Sequence, residues 1–166
     1  DSPGIDLVDT WRTMIDILES GRVRAIGVSN FQAEHLRTII EATGVTPAVN
    51  QIELHPYLCQ EQLRALHDSL GIVTESWSPL GRGRLLEEPV VRDVAATLGV
   101  TPAQVVIRWH VQHGLVVIPK TTHCERMRVN ADVFSFGLSR EQMAAIDACD
   151  RGLRTGSHPD RVQERS

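Results

Sequence analysis

Lysine is almost missing from this chain: of its 17 lysines and arginines, only Lys120 is a lysine. Cysteine is scarce as well. Cys59, Cys124 and Cys149 are widely spaced and form no C-x-x-C pair, which argues against a disulfide framework or a zinc site. Such thiols suit a reducing compartment, so a cytoplasmic location is expected. No apolar run approaches the roughly 18 residues of a membrane span. The net charge of -4 is mild, which argues against nucleic acid or an anionic membrane as the main partner. The chain opens on Asp1, and "DSPGIDLVDTW" lacks the basic and apolar regions of a signal peptide, so the natural start is expected upstream. Tyr57 is the only tyrosine. What remains is 166 residues, 42% hydrophobic and 23% charged, the composition of one soluble globular unit.

Helical and extended patterns alternate along it. Trp11, Met14, Ile15 and Leu18 fall at helical spacing before Gly21, and "VRAIGVSNF" follows as a strand. "AEHLRTIIEATG" reads as a helix capped by Gly44, "AVNQIELHP" as a strand stopped by Pro56, and "QEQLRALHDSLG" as a helix closed by Gly71. "IVTESWSPL" is a third strand, and "PVVRDVAATLG" an extra helix. "TPAQVVIRWHVQHG" carries Thr101, Pro102 and Gln104 in the pattern of a capping box with proline at the first position. "LVVIPKTT" is the fourth strand and "CERMRVNADV" the helix after it; "SREQMAAIDACD" is one more helix with its own box, Ser139 and Gln142. The tail "GLRTGSHPDRVQERS" reads as loop.

Strands joined by helices run parallel, so a doubly wound sheet and part of an eight-fold barrel both fit. A Rossmann site needs G-x-G-x-x-G, and Gly81-Arg82-Gly83 has Leu86 where the third glycine belongs. The strand ends read Ser29-Asn30, Gln51-Glu53-His55, Trp77-Ser78 and Lys120-Thr121. Barrels place ligand-binding residues at such ends, and a whole barrel takes about 250 residues, so half a barrel is favoured. The lone lysine sits in "VVIPKTTHCER", at the end of an apolar run, and Thr122-His123-Cys124-Glu125 has the T-x-x-E spacing of a capping box. A helix start carrying Lys120 and Arg126 is a ready anion site.

"GVSNF", "NQIELHP", "SWSPLG" and "IPKTTHCERMRVN" resemble, in that order and spacing, the second half of an aldo-keto reductase, and "ESWSPLG" with the "SHPDRV" tail is most similar to the bacterial diketogluconate reductase branch. The resemblance implies an α/β fold, the second half of a (β/α)8 TIM-type barrel. It has about four βα units, an extra helix before the seventh barrel helix, and a C-terminal helix and tail. It implies that residues 1–166 are the C-terminal half of one barrel domain whose first half is absent from this chain. It implies NADPH as cofactor and a small-molecule carbonyl substrate, an aldehyde or a ketone. Ser29, Asn30 and Gln51 are then expected to hold the nicotinamide carboxamide, and Trp77 to stack on the ring. Ser78, Leu80 and Gly81 are expected on the pyrophosphate side. Lys120, Thr121 and Arg126 are expected on the 2′-phosphate of the adenosine ribose, which makes that phosphate the anion, and Asn130 on the adenine. Val129 departs from the acidic residue common there.

The family's catalytic tyrosine, lysine, aspartate and histidine belong to the first half. Tyr57 does not match the donor, so no catalytic residue is expected in this chain, which would need the missing N-terminal half-barrel for activity. The alternative is a non-catalytic, NADPH-binding regulatory module on the same scaffold. Plainer roles are expected elsewhere: structural for Glu53 and His55, packing for Trp11 and Trp109, and a passive thiol for Cys124. For His110 and His113 a meeting with the helix dipole is favoured over metal binding.

Overall fold

The computed structural model describes residues 6–159, so the end of the tail, from Asp160, lies outside the described residues. Two compact units divide it. One holds the chain through Ile52 together with Glu61–Thr74, the other Glu53–Gln60 and the chain from Glu75 on. The sheet order is β1-β2-β3-β4, from Val28–Ser29, Val49–Glu53, Val73–Trp77 and Val116–Val117. β1 runs parallel to β2 and β3 parallel to β4, as the helical connections require.

In the first unit α1, Leu7–Glu19, starts earlier than the tryptophan that announced it, because Asp6 caps it by accepting from the Val8 and Asp9 amides. α2, Ala33–Thr43, ends at Gly44 with φ 71, the left-handed cap that glycine adopts without a Cβ penalty. α3 covers Glu61–Leu70. The core is Trp11, Ile26 and Ile39, packed by Met14, Ile15, Leu18, Phe31 and Ile40, and the Trp11 indole N–H donates to Val45 O at 3.1 Å. β1 is shorter than the apolar run that predicted it, yet its extended backbone reaches further. Ala48 N–H donates to Ile26 O at 2.9 Å and Asn30 N–H to Gln51 O at 2.8 Å.

A buried polar chain stiffens this unit. Asn50 donates from Nδ2 to Phe31 O at 2.9 Å and accepts from Phe31 N–H at 3.3 Å. The same Nδ2 lies 3.0 Å from His67 Nε2. That nitrogen therefore accepts, and the proton sits on Nδ1, which donates to Thr74 Oγ1 at 2.8 Å. Burial holds the His67 pKa below its ordinary value, in keeping with a neutral ring.

In the second unit β3 is followed by Gly81–Glu87, short 3₁₀ turns broken by a kink at Arg82 and Gly83. α4 is Pro89–Leu98 and α5 is Pro102–Gln112, the latter with Thr101 and Gln104 in the reciprocal box read from sequence. After β4 come α6, Cys124–Ala131, and α7, Arg140–Asp147, whose Ser139–Gln142 box also forms. Pro119 lacks an N–H, which limits β4 just past Ile118 N–H→Ser76 O at 3.5 Å. Trp109 is fully buried, and its indole N–H donates to Asp147 Oδ1 at 2.7 Å.

Gly27, just before β1, has no room for a side chain: a Cβ there would overlap Val49 Cγ1 and lie 2.6 Å from Val49 O. Gly27→Ala is expected to destabilise the fold by about 1–3 kcal/mol, the range for overpacking. A lower urea midpoint at unchanged m-value would show it, whereas an unchanged midpoint would mean the β1–β2 approach is looser than described.

Candidate functional site

In the first unit, Ser29, Asn30 and Gln51 come together where β1 and β2 pair, with Ser29 opposite Gln51 in the register. Asn30 has φ 60, a left-handed conformation that asparagine tolerates better than most residues. That turn brings Asn30 Nδ2 to Ser29 Oγ at 3.2 Å, while the Ser29 hydroxyl donates to Gln51 O at 3.2 Å. An amide and a hydroxyl tied together in this way, beside Gln51, suit an amide-like ligand that both donates and accepts.

In the second unit, Trp77 ends β3, and the chain turns sharply behind it. Ser78 has φ 51, and Gly81, Arg82 and Gly83 have φ 55, 55 and 88. Gly81 N–H donates to Ser78 O at 2.8 Å and Gly83 N–H to Leu80 O at 2.9 Å, so Ser78, Leu80 and Gly81 form one continuous tight bend. Beyond β4, a cleft of about 370 Å³ is lined by Val117, Pro119, Thr121, Met127, Asn130 and Phe134 among others. The expected residues Thr121 and Asn130 are in its walls; Lys120 and Arg126 are not among the lining residues and are exposed. Apolar walls with a few polar groups are the usual make-up of a small-molecule pocket, and the volume is within the usual range.

The expected Thr122 capping box does not form. α6 begins at Cys124, its N-cap is His123, and no side chain caps it. The reason is local: Thr121 Oγ1 accepts from His123 N–H at 3.2 Å, which sets the turn one residue later. Cys124 is exposed at the first helical position. His110 is fully buried; Nδ1 lies 2.8 Å from Val106 O and Nε2 3.2 Å from Leu54 O. Burial pushes its pKa down to about 4, so the ring is neutral and carries no charge to meet a helix dipole. His113, the C-cap of α5, lies 2.9 Å from Asp147 Oδ1.

What sequence reasoning missed is the reach of Glu53. It is fully buried at the end of β2. Its Oε1 accepts from Thr155 N–H and Thr155 Oγ1, both at 2.6 Å, and from Gly156 N–H at 3.1 Å. His55 Nε2 is 3.3 Å away and Arg154 3.9 Å. The tail contains no signal for this beyond its small residues. Tyr57, also in this unit, donates its hydroxyl to Glu88 at 2.6 Å beneath the Arg151 guanidinium, 3.8 Å from the ring centroid. Burial first, and then this bond to Glu88, push the tyrosine pKa up to about 12.

Comparisons with known proteins bear on this arrangement. A profile of the Aldo/keto reductase family matches residues 2–90 and 88–151. Over 158 residues the chain is 55% identical to 2,5-diketo-D-gluconic acid reductase B of Corynebacterium sp. (strain SHS752001), covering 95% of this chain and 57% of the relative. It is 47% identical over 161 residues to methylglyoxal reductase DkgA of Escherichia coli (strain K12), covering 95% of this chain and 58% of that relative. Among solved structures, a Gox0644 mutant in complex with NADPH matches with a TM-score of 0.90 and 51% identity over 92% of this chain and 57% of that one. The chain thus spans a little over half the length of the relatives it matches.

Burial opposes ionisation of Glu53, but the bonds from Thr155 and Gly156, with His55, outweigh it and hold the pKa below its ordinary 4.5. A depressed carboxylate contributes stability that is complete above the unfolded pKa and lost as pH falls through the lower folded value. The Thr155 and Gly156 amides are therefore expected to stay protected from hydrogen exchange above pH 4.5 and to lose protection on further acidification. Protection independent of pH across that window would show that the carboxylate does not hold the tail.

Proposed function

Because this chain belongs to the aldo/keto reductase family, we propose that it is the cofactor-binding, C-terminal half of an NADPH-dependent reductase of aldehydes and ketones. The observation that carries the reading is the cleft beyond β4, with Thr121 and Asn130 in its walls, formed next to the chain's one lysine. Apolar walls with an amide suit a purine, and the exposed cations Lys120 and Arg126 suit a phosphate. When bound, NADPH supplies the hydride for carbonyl reduction.

The chain's own residues bind and orient. Ser29, Asn30 and Gln51 hold the nicotinamide carboxamide and so select which ring face meets the substrate. Trp77 gives the ring a flat apolar surface. The bend at Ser78, Leu80 and Gly81 accommodates the pyrophosphate. Lys120, Thr121 and Arg126 hold the 2′-phosphate, and Asn130 the adenine. None of these groups is a proton donor to the carbonyl oxygen. Tyr57 does not serve either, since its hydroxyl is committed to Glu88 and its pKa stands at about 12, far from the near-neutral range that suits general acid catalysis. The donor is therefore assigned to the first half of the barrel. Val116 and Ile118 along β4, with Met127 and Phe134 beyond it, leave 42–74% of their surface exposed. Of these, Met127 and Phe134 line the cleft, and Val116 and Ile118 are the apolar surface that the first half would cover.

Two measurements test this reading. Arg126→Ala should weaken NADPH binding about ten-fold, the loss of one charge-assisted contact, and leave NADH binding nearly unchanged. Equal losses for both cofactors would remove the 2′-phosphate assignment. The chain alone should show no carbonyl-dependent NADPH oxidation, and mixing it with the separately produced first half of the barrel should restore some. Clear turnover by the chain alone would reopen the role of Tyr57.

A further inference from the structure

The segment Arg151–Gly156 has neither helix nor strand, yet it is tied down within the second unit. Arg151 and Leu153 donate their amides to Tyr57 O at 3.4 and 2.9 Å. The Arg151 guanidinium bonds Glu88 at 3.2 Å, and Arg154 reaches Gln60 Oε1 at 3.4 Å. Thr155 and Gly156 then close on the buried Glu53 carboxylate. Terminal segments are ordinarily loose unless something holds them. Here two of the holding groups, Glu53 and Glu88, are carboxylates, which make the stronger, charge-assisted class of bond.

The consequence falls on Trp77. A Cβ built at Gly156 would lie 2.5 Å from Trp77 Cη2, 3.2 Å from Cζ3 and 3.2 Å from Glu53 Oε2. The backbone of residue 156 is thus pressed against the six-membered ring of the indole, as close as a residue without a side chain allows. The chain just past β2 also meets the backbone of that tryptophan, where Leu54 donates its amide to Trp77 O at 3.4 Å. One strand end therefore fixes the tryptophan backbone and, through the tail, limits where its ring can lie.

We propose that Arg151–Gly156 is a positioning strap for Trp77, in which Glu53 clamps the tail and the bare face of Gly156 sets the tilt of the indole against which the nicotinamide stacks. The strap rests on the assignment of Trp77 to the nicotinamide. Gly156 and Glu53 are positioning residues: they act on the ring through Trp77 and touch no reacting atom. A reacting geometry misplaced by one ångström can cost about 10²-fold in rate, so the tilt of a stacking surface is worth fixing.

The test uses the chain labelled with 5-fluorotryptophan, whose three tryptophans, Trp11, Trp77 and Trp109, give three ¹⁹F resonances. The Trp77 signal is the one lost in Trp77→Phe. Gly156→Ala should move it while Trp11 and Trp109 stay in place, and Glu53→Gln should shift or broaden it. Ser157→Ala, at an exposed position beside the strap, should leave all three unchanged. NADPH should shift the Trp77 signal of the unmodified chain, and the Kd read from that shift should rise roughly five-fold in Gly156→Ala, the scale of one lost aromatic stacking contact. If Gly156→Ala collapses all three signals, the milder Thr155→Val, which removes one hydroxyl donor to Glu53, makes the same comparison. A Trp77 signal unmoved by the folded variants overturns the strap. A Trp77 signal that ignores NADPH in the unmodified chain overturns the stacking assignment, and with it the purpose given to the strap, while the contact with Gly156 is still read from the variants.

Discussion

The second unit depends on a carboxylate that cannot reach water. A buried, ionised Glu53 without donors would be costly enough to drive its own protonation. It stays ionised because Thr155, Gly156 and His55 crowd around one of its oxygens and Arg154 stands 3.9 Å from the other. Three of those four residues come from the tail. Satisfying the carboxylate therefore orders the tail, and ordering the tail carries Arg151 to Tyr57 and Glu88. An apolar residue of similar volume at position 53 would remove the desolvation problem, and it would also remove the acceptor that Thr155 and Gly156 share.

The first unit solves a similar problem with neutral groups. Asn50, His67 and Thr74 satisfy one another in a chain that ends on the Phe31 backbone. Phe31 follows Asn30, so that chain also supports the left-handed turn which gathers Ser29, Asn30 and Gln51. In both units buried polar groups back residues proposed to touch cofactor: Asn50 and His67 hold the Phe31 backbone that follows Asn30, and Glu53 holds the tail that meets Trp77. This is the usual division of labour at a preorganised site, where supporting groups decide whether a contact falls within tolerance.

Much of this was legible in the sequence, for identifiable reasons. The boxes at Thr101 and Ser139 and the left-handed cap at Gly44 depend on residues within four positions of one another, and each formed as read. Ser29 and Trp77 stand at the ends of β1 and β3 as read, because turn chemistry is local as well, whereas Lys120 lies beyond β4. Thr122 failed through competition between equally local choices: Thr121, one residue earlier, offers its hydroxyl to the same turn and wins. The short β1 and β4 were overestimated because apolar runs mark extended chain, whereas a regular strand also needs a partner for each backbone group. Glu53 and Gly156 were out of reach for a different reason. Their bond spans 103 positions in sequence, and nothing near either residue announces the other.

The fate of Tyr57 shows how a long-range partner decides a chemical role that residue type leaves open. A tyrosine donates a proton readily when its pKa is brought toward neutrality by nearby positive charge. Arg151 supplies such a charge at 3.8 Å from the ring, and alone it would favour the phenolate. Glu88 reverses the balance. It accepts the phenolic proton at 2.6 Å and also bonds Arg151 at 3.2 Å, while burial disfavours the phenolate further. The arginine is thereby turned to holding the strap, and the tyrosine keeps its proton. On the proposed reading, this half of the barrel is built to present a cofactor, and the residue in it that most resembles a proton donor is engaged as structure.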